Sequence, residues 1–433
     1  MMPKGLVLFG YDKPNRYSWS ILMGYLESDS ILMEQYSFIP LPFHLYKSHL
    51  HKEYFKKIDF TQFDFIILAF SFLSAQIPQY EEFINEYKRF FNKIHPKIIT
   101  VAGGPHAAAS PEELVKFKID FIIPDEGEYA FSSLLHLLLK KPKEIINTTS
   151  VPGLARGYPK YVPATKPNLV EIGKYPPFSK KFRLFGPIEI SRGCPFRCKF
   201  CQTGNRADKM RHASVENIVK WVKLASEIKF DKVWFLSPNS FGYGSKNGVT
   251  PNIDAIYSLL SKIKAISAIK GIFFGTFPSE VRPESVTRDV LEVISPFVTN
   301  RKILIGAQSA SDRLLRSIQR GHTFEQVKKA ISLLTEYKFN IELDFIFGLP
   351  GENSEDIQDN IKFFNEILDG KYKNVKIHTH TFMPLPGTPF SDEPIGKIDH
   401  EILKIIGKLA KDGKAFGEHL SQAGLVQNRY SKK

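Results

Sequence analysis

The chain has 433 residues, 43% of them apolar, and a formal net charge of +14. That apolar share supplies large cores and excludes wholesale disorder, and no uncharged apolar run of about 18 residues exists to span a membrane. The basic balance would suit acidic partners, but no dense Lys/Arg block with interleaved aromatics appears. A lysine-rich solvated surface therefore accounts for the charge, and no nucleic acid is expected. Met1-Met2-Pro3-Lys4-Gly5-Leu6 runs straight into an apolar strand pattern, unlike a secretory signal, so a cytoplasmic protein is expected. Only Asn428-Arg429-Tyr430-Ser431-Lys432-Lys433 resembles a basic tail.

Along the first third, short apolar runs at Leu6–Phe9, Ile31–Ile39, Phe65–Phe70, Ile98–Ala102 and Phe121–Ile123 read as strands. Helical patterns alternate with them at Tyr17–Glu27, Lys52–Ile58, Tyr80–Ile94, Pro111–Phe117 and Glu128–Leu139. Five βα units predict an α/β domain with an open, parallel, Rossmann-like sheet over residues 1–145. Residues 146–182 are rich in Pro, Gly and Lys and read as an interdomain connection, with a small hairpin strand at Gly153–Tyr158.

A second series begins near Pro187. Strands are expected at Ile188–Ile190, Val233–Leu236, Ile272–Phe274, Ile303–Ile305, Ile341–Phe347 and Val375–Thr379. Helices are expected at Val215–Ile228, Ile253–Ile266, Pro283–Ile294, Phe324–Tyr337 and Ser354–Leu368. Six units predict a partial (β/α)6 barrel over 183–392, open on one side. A helical region over 393–433, running to about Leu425, is expected to follow.

All three cysteines of the chain lie in Ser191-Arg192-Gly193-Cys194-Pro195-Phe196-Arg197-Cys198-Lys199-Phe200-Cys201. An odd, clustered set is useless as a disulfide framework and fits a reduced compartment. Three thiolates spaced by three and then two residues on one loop can hold three irons of a 4Fe–4S cubane, leaving the fourth iron open. The competing reading is zinc, for which His212 is the nearest fourth ligand.

This spacing, with the aromatic Phe200 before the last cysteine, resembles the radical S-adenosylmethionine superfamily over roughly Pro187–Pro389. The resemblance implies a 4Fe–4S cluster on Cys194, Cys198 and Cys201. It implies S-adenosylmethionine chelated at the open iron, with Phe200 against the adenine. It also carries contacts onto Ser237 and Asn239 after the second strand, Ser279 and Glu280 after the third, and Gln308 after the fourth. The family's Gly-Gly-Glu is absent; Ser237-Pro238-Asn239-Ser240 stands in its place.

In the amino-terminal domain, ligands are expected at the carboxyl ends of the strands. There the residues alone do not decide between ordinary turns and a ligand site. The domain resembles the cobalamin-binding domain that precedes the radical barrel in a large subgroup. Its turns are Gly103-Gly104-Pro105-His106 and Glu126-Gly127-Glu128. The resemblance implies cobalamin contacts from Tyr11, Asn15, Ser71, Phe72, Leu73, Gly103, Gly104, His106, Glu126, Gly127 and Glu128. The Asp-x-His-x-x-Gly motif that supplies an imidazole to cobalt elsewhere is absent, so none is expected here.

The resemblance implies a cobalamin-dependent radical enzyme that methylates an unactivated carbon. A protein or peptide substrate is expected, the glutamine of methyl-coenzyme M reductase first among candidates, with ferredoxin or flavodoxin as electron donor and a monomeric enzyme. Cyclisation or rearrangement of a small molecule is the alternative. A tRNA methylthiotransferase is disfavoured, because that family carries a second cluster on three upstream cysteines and none precedes Cys194.

Overall fold

The computed structural model describes residues 3–43, 50–141, 143–207 and 209–417. The chain divides into two compact units, Met1–Gly186 and Pro187–Lys433.

In the first unit, β1 (Gly5–Tyr11), β2 (Tyr36–Pro42), β3 (Phe65–Ser71), β4 (Ile98–Gly103), β5 (Phe121–Ile122) and β6 (Ala155–Arg156) form one sheet, ordered β2-β1-β3-β4-β5-β6. The first five strands are parallel, and β6 joins β5 antiparallel. Leu6, Leu8, Ile66 and Leu68 pack into one core, while Val7, Phe9, Ile67 and Ala69 pack into another. Burial on both faces is why these strands read as unbroken apolar runs rather than alternating ones. Each such side chain contributes about 1.5–3 kcal/mol on burial.

Two expectations change here. Ile31–Ile39 is not one strand: Ser30–Gln35 is helical and β2 starts at Tyr36. The Asp29 carboxylate accepts from Leu32 N at 3.1 Å, and this cap starts a helical turn within the apolar run. Residues 146–182, read as an interdomain connection, fall within the first unit. Arg156 pairs with Phe121 in the sheet, and Lys181 N donates to Glu27 Oε1 at 2.8 Å.

The second unit contains β7 (Ile188–Glu189), β8 (Ser191–Arg192), β9 (Arg211–His212), β10 (Lys232–Leu236), β11 (Gly271–Phe273), β12 (Lys302–Gln308), β13 (Asn340–Phe347), β14 (Val375–Thr381) and β15 (Ala415–Gly417). Parallel pairing orders them β7-β10-β11 and β12-β13-β14-β15. Val281 joins the two sets: its N–H donates to Leu304 O at 2.8 Å, and its carbonyl accepts from Gly306 N at 3.2 Å. Six principal strands thus follow one another in chain order. The antiparallel β8–β9 ribbon stands apart from them.

Side-chain N-caps start the covering helices: Ser214 for Val215–Glu227, Asn252 for Ile253–Lys264, Thr323 for Phe324–Glu336 and Asn353 for Ser354–Leu368. Each cap is worth about 0.5–2 kcal/mol. The expected helix Pro283–Ile294 is divided, a 3-10 turn at Pro283–Ser285 preceding an α-helix at Arg288–Ile294. Thr287 is extended and caps the second piece, which breaks the run. The carboxyl-terminal region is not helical throughout. His400–Lys411 is a helix, but Ala415–Gly417 adds β15 beside β14. The expected helix to Leu425 and the basic tail lie outside the described residues. Among the described residues, no helix is long and apolar enough to cross a membrane.

Candidate cluster and cofactor sites

The cysteine loop follows β8 and is shaped by two glycines that nothing else can replace. Gly193 has φ +86°, and a Cβ there would lie 2.1 Å from Lys209 O. A Cβ on Gly204 would lie 1.6 Å from Phe196 O. Cys194 N donates to Ala207 O and Cys201 N to Cys198 O, both at 3.0 Å. The Asn205 amide donates to Cys198 O at 2.9 Å and to Cys201 O at 2.7 Å, so one side chain fixes the turn between two ligands.

All three thiols are free of disulfides. Burial pushes the Cys194 thiol up, Phe196 N–H and Arg282 pull it down, and Cys201 and Cys198 are near enough to raise it electrostatically. Yet among the described residues only one His/Cys/Asp/Glu trio brings its ligand atoms within 4.8 Å of one another, and it is not the cysteines. Ligands of one tetrahedral zinc at ~2.3 Å would stand about 3.8 Å apart. At least one pair of the three sulfurs therefore stands wider apart than the ligands of a single tetrahedral ion. His212, the candidate zinc ligand, is committed elsewhere: Nδ1 bonds Ser191 Oγ at 2.8 Å and Nε2 bonds Ser245 O at 3.1 Å.

Two buried arginines, overlooked in the sequence, line this loop. Arg320 Nη1 approaches Cys198 Sγ at 3.8 Å, and Nη2 donates to Gly306 O at 2.8 Å. The Arg282 guanidinium lies 3.4 Å from the Phe196 ring centroid, and donates to Glu284 and to Arg320 O. Fixed positive charge beside the thiolates suits an anionic cluster. No spacing rule links Arg320 to Cys198 across 122 residues. The available signal was only that Gln319-Arg320-Gly321-His322 holds two cationic types in one short loop.

Of the residues assigned to S-adenosylmethionine, three hold the loops after the strands. Ser279 Oγ donates to Phe235 O at 2.7 Å and accepts from Ser237 N at 2.9 Å. Asn239 Nδ2 donates to Ser285 Oγ at 2.9 Å, and Oδ1 accepts from Arg282 N at 3.2 Å. Glu280 and Gln308 instead converge, with Arg320, on Gly306. A Cβ there would lie 2.4 Å from Arg320 Nη2, 2.8 Å from Glu280 Oε2 and 2.9 Å from Gln308 Nε2. Burial, and then Asp344, pushes the Glu280 carboxyl up, while Arg320 pulls it down. Phe200 packs against Leu314, Ile318, Leu349, Phe382 and Phe390, which gives it an apolar bed.

In the first unit, chain order reverses between β1 and β3, the switch point where open α/β sheets bind ligands. Asn15 spans it: Nδ2 donates to Gly10 O at 2.9 Å on one side and to Ser71 O at 2.7 Å on the other. At Gly103 a Cβ would make ordinary contact with Ile123 O at 3.7 Å. Gly104 is a close approach, with φ +88° and its Cβ position 2.7 Å from Ser71 Oγ. Phe72 is buried and Leu73 is exposed beside this edge. Tyr11 ends β1, and Glu126 precedes the helix Gly127–Leu138, on whose first turn Glu128 is buried. Glu126 Oε2 accepts from Val170 N at 2.9 Å. His106 is fully buried, with Nδ1 3.1 Å from Ser74 Oγ and Nε2 3.4 Å from Glu113 Oε2. Its ring packs within the turn.

The Radical SAM superfamily profile matches residues 188–364, and the B12 binding domain profile matches residues 45–135. The structure of the radical S-adenosylmethionine methyltransferase TsrM from Kitasatospora setae, with cobalamin and a 4Fe–4S cluster bound, is similar with a TM-score of 0.68. It is 15% identical and the match covers 91% of this chain and 74% of that one. The cobalamin-dependent S-adenosylmethionine radical enzyme OxsB is similar with a TM-score of 0.65 at 17% identity, over 95% of this chain and 62% of that one. A tRNA-2-methylthio-N(6)-dimethylallyladenosine synthase from Sulfurihydrogenibium is 26% identical over 225 residues, 51% of this chain and 48% of the relative. The match thus spans about half of that relative's length. At these identities the solved structures establish the fold.

Proposed function

We propose that the chain, which matches a B12 binding domain profile and a Radical SAM superfamily profile, uses a 4Fe–4S cluster, S-adenosylmethionine and cobalamin as a C-methyltransferase acting on an unactivated carbon of a protein or peptide. The observation that carries this reading is the pairing of the two domains in a chain with only three cysteines. When bound, the cluster and S-adenosylmethionine supply a radical that removes hydrogen, and cobalamin supplies a methyl group. The protein's own part is positioning. Asn205 fixes the turn that carries two thiolates, and Arg282 and Arg320 hold positive charge beside them.

The glutamine-containing segment of methyl-coenzyme M reductase is the first substrate to try, with ferredoxin or flavodoxin as reductant and the enzyme as a monomer. The absence of any cysteine before Cys194 weighs against tRNA methylthiolation.

The test supplies trideuteromethyl S-adenosylmethionine, cobalamin and reductant. The expected product is a peptide with one labelled methyl group, formed together with 5′-deoxyadenosine. A product without mass gain but with a new internal bond would replace methylation by cyclisation. Cys198→Ala should lose cluster and turnover while the first domain still binds cobalamin.

A further inference from the structure

Asp344 on β13 and His378 and His380 on β14 form a second group of metal-type ligands, separate from the cysteines. Asp344 pairs in register with His378, and Ile346 with His380. Phe345, the neighbour of Asp344, faces outward onto the helix Ser354–Leu368, its ring 5.1 Å from that of Phe364. Alternation therefore turns Asp344 to the opposite, inner face of the sheet, and His378 and His380 with it. This is the face on which the buried Glu280 feels both Asp344 and His380.

Three atoms converge there. His378 Nδ1 is 2.7 Å from Asp344 Oδ1, His380 Nε2 is 3.2 Å from His378 Nδ1, and His380 Nε2 is 3.7 Å from Asp344 Oδ1. Protons alone serve this triangle poorly. The single proton on His378 Nδ1 bonds Asp344 well, and His380 Nε2 is then left with that shared proton or with a carboxylate too distant for a hydrogen bond. One cation serves all three. Ligands bound at ~2.0–2.2 Å in tetrahedral or octahedral geometry stand about 3.0–3.5 Å apart, and the observed edges bracket that range.

We propose that Asp344, His378 and His380 bind a divalent first-row transition-metal ion. Two imidazoles and one carboxylate suit zinc and ferrous iron. Asp344 is almost fully buried, whereas His378 and His380 keep about a quarter of their side-chain surface exposed (25% and 28%). The site therefore opens on its histidine side, and three protein ligands leave positions there for an oxygen- or nitrogen-bearing group of a substrate. The His378 ring is held by stacking on Phe416, 4.6 Å between centroids and 12° between planes. A cation here also offsets two buried carboxyls, Asp344 and Glu280. The proposal does not depend on the methyl-transfer reading.

The test uses the cluster-loaded full chain, freed of loose metal and then offered zinc or ferrous iron anaerobically, followed by desalting and elemental analysis. The expected result is one zinc, or one iron beyond those of the cluster, retained per chain. His378→Ala with His380→Ala should lose that ion while cluster iron stays constant. Asp344→Asn, which preserves size and hydrogen bonding, should weaken retention at least tenfold. Cobalt(II) added to the chain carrying alanine at all three cysteines should give ligand-field absorption that the histidine variant lacks. No retained ion in the parent chain, or equal retention in the histidine variant, would overturn the proposal.

Discussion

Arg320 and Cys198 meet in the interior of the second unit, with Arg320 Nη1 3.8 Å from Cys198 Sγ and both residues buried. A permanent cation thus stands against one thiolate of the loop. Burial works against the charge on Arg320, and Cys198 and Glu280 outweigh it, so the guanidinium is held more firmly protonated than usual. Arg320→Met removes the charge at similar size and leaves Glu280 and Glu284 less compensated. Deleting one partner of a buried ionic group costs about 3–5 kcal/mol. The expected outcome is lower iron and sulfide content after reconstitution and a more negative cluster potential, with Arg320→Lys between the two. An unchanged potential in the Met variant would reduce Arg320 to a packing role.

Gly306→Ala tests the convergence of Glu280, Gln308 and Arg320. The added methyl would meet all three side chains at 2.4–2.9 Å. Overpacking of this kind costs about 1–3 kcal/mol. S-adenosylmethionine affinity should fall by more than the loss in thermal stability accounts for, since Glu280 and Gln308 are the residues proposed to contact that cofactor. Equilibrium binding to the cluster-loaded chain, compared with a melting curve, checks this.

What the sequence makes legible follows from chain distance. The cysteine motif is local, and its loop lies where the spacing puts it. The six principal strands of the second unit start within a residue of expectation, because buried parallel strands are continuous apolar runs. Arg282 and Arg320 escape notice because an arginine in a loop reads as solvated, and only the fold buries it beside a thiol. His378 and His380 escape because alternation in Val375–Thr381 marks one face as polar without saying that the face points inward. Ser30–Gln35 is misread because Ile31, Leu32 and Met33 fit strand or helix equally, and a single cap at Asp29 decides.

Glu352 predicts a pH dependence. Burial raises its pKa from 4.5 to about 7, with Gly348 N–H pulling the other way and Asp356 and Asp399 adding to the rise. The folded state therefore holds a proton that the unfolded chain releases between those values. Stability from this group is fully present below pH ~4.5 and is lost as pH rises through about 7. The loss is about 2–3 kcal/mol after allowing for partial exposure. Glu352→Gln keeps an acceptor for Gly348 N, now 2.8 Å from Oε2, and has no proton to lose. The variant should be more stable than the parent at pH 8 and should match it near pH 5. Parallel melting curves across that range decide, and identical slopes would remove Glu352 as the cause.

Asn15 offers the sharpest test of the first unit, because its amide polarity can be reversed at constant shape. Its Nδ2 donates to Gly10 O, Ser71 O and the Tyr80 hydroxyl, and its Oδ1 accepts from Asp12 N at 2.8 Å. Asn15→Ala removes the amide donor from Ser71 O, at about 1–3 kcal/mol before any rescue by water, while Gly10 O keeps the Trp19 indole N–H at 2.8 Å. Asn15→Asp keeps the bond from Asp12 N but sets a second acceptor against both carbonyls. Neither carbonyl can donate, so the carboxylate must protonate or part the strand ends. The expected stability order is Asn, then Ala, then Asp, with the Asp variant weakest above the carboxylate pKa. Both variants should retain less cobalamin on gel filtration, since the clip spans the switch point between β1 and β3. Their iron content should stay that of the parent, because the cysteine loop belongs to the other unit. If Asp proved as stable as Asn, the clip would not hold the strand ends.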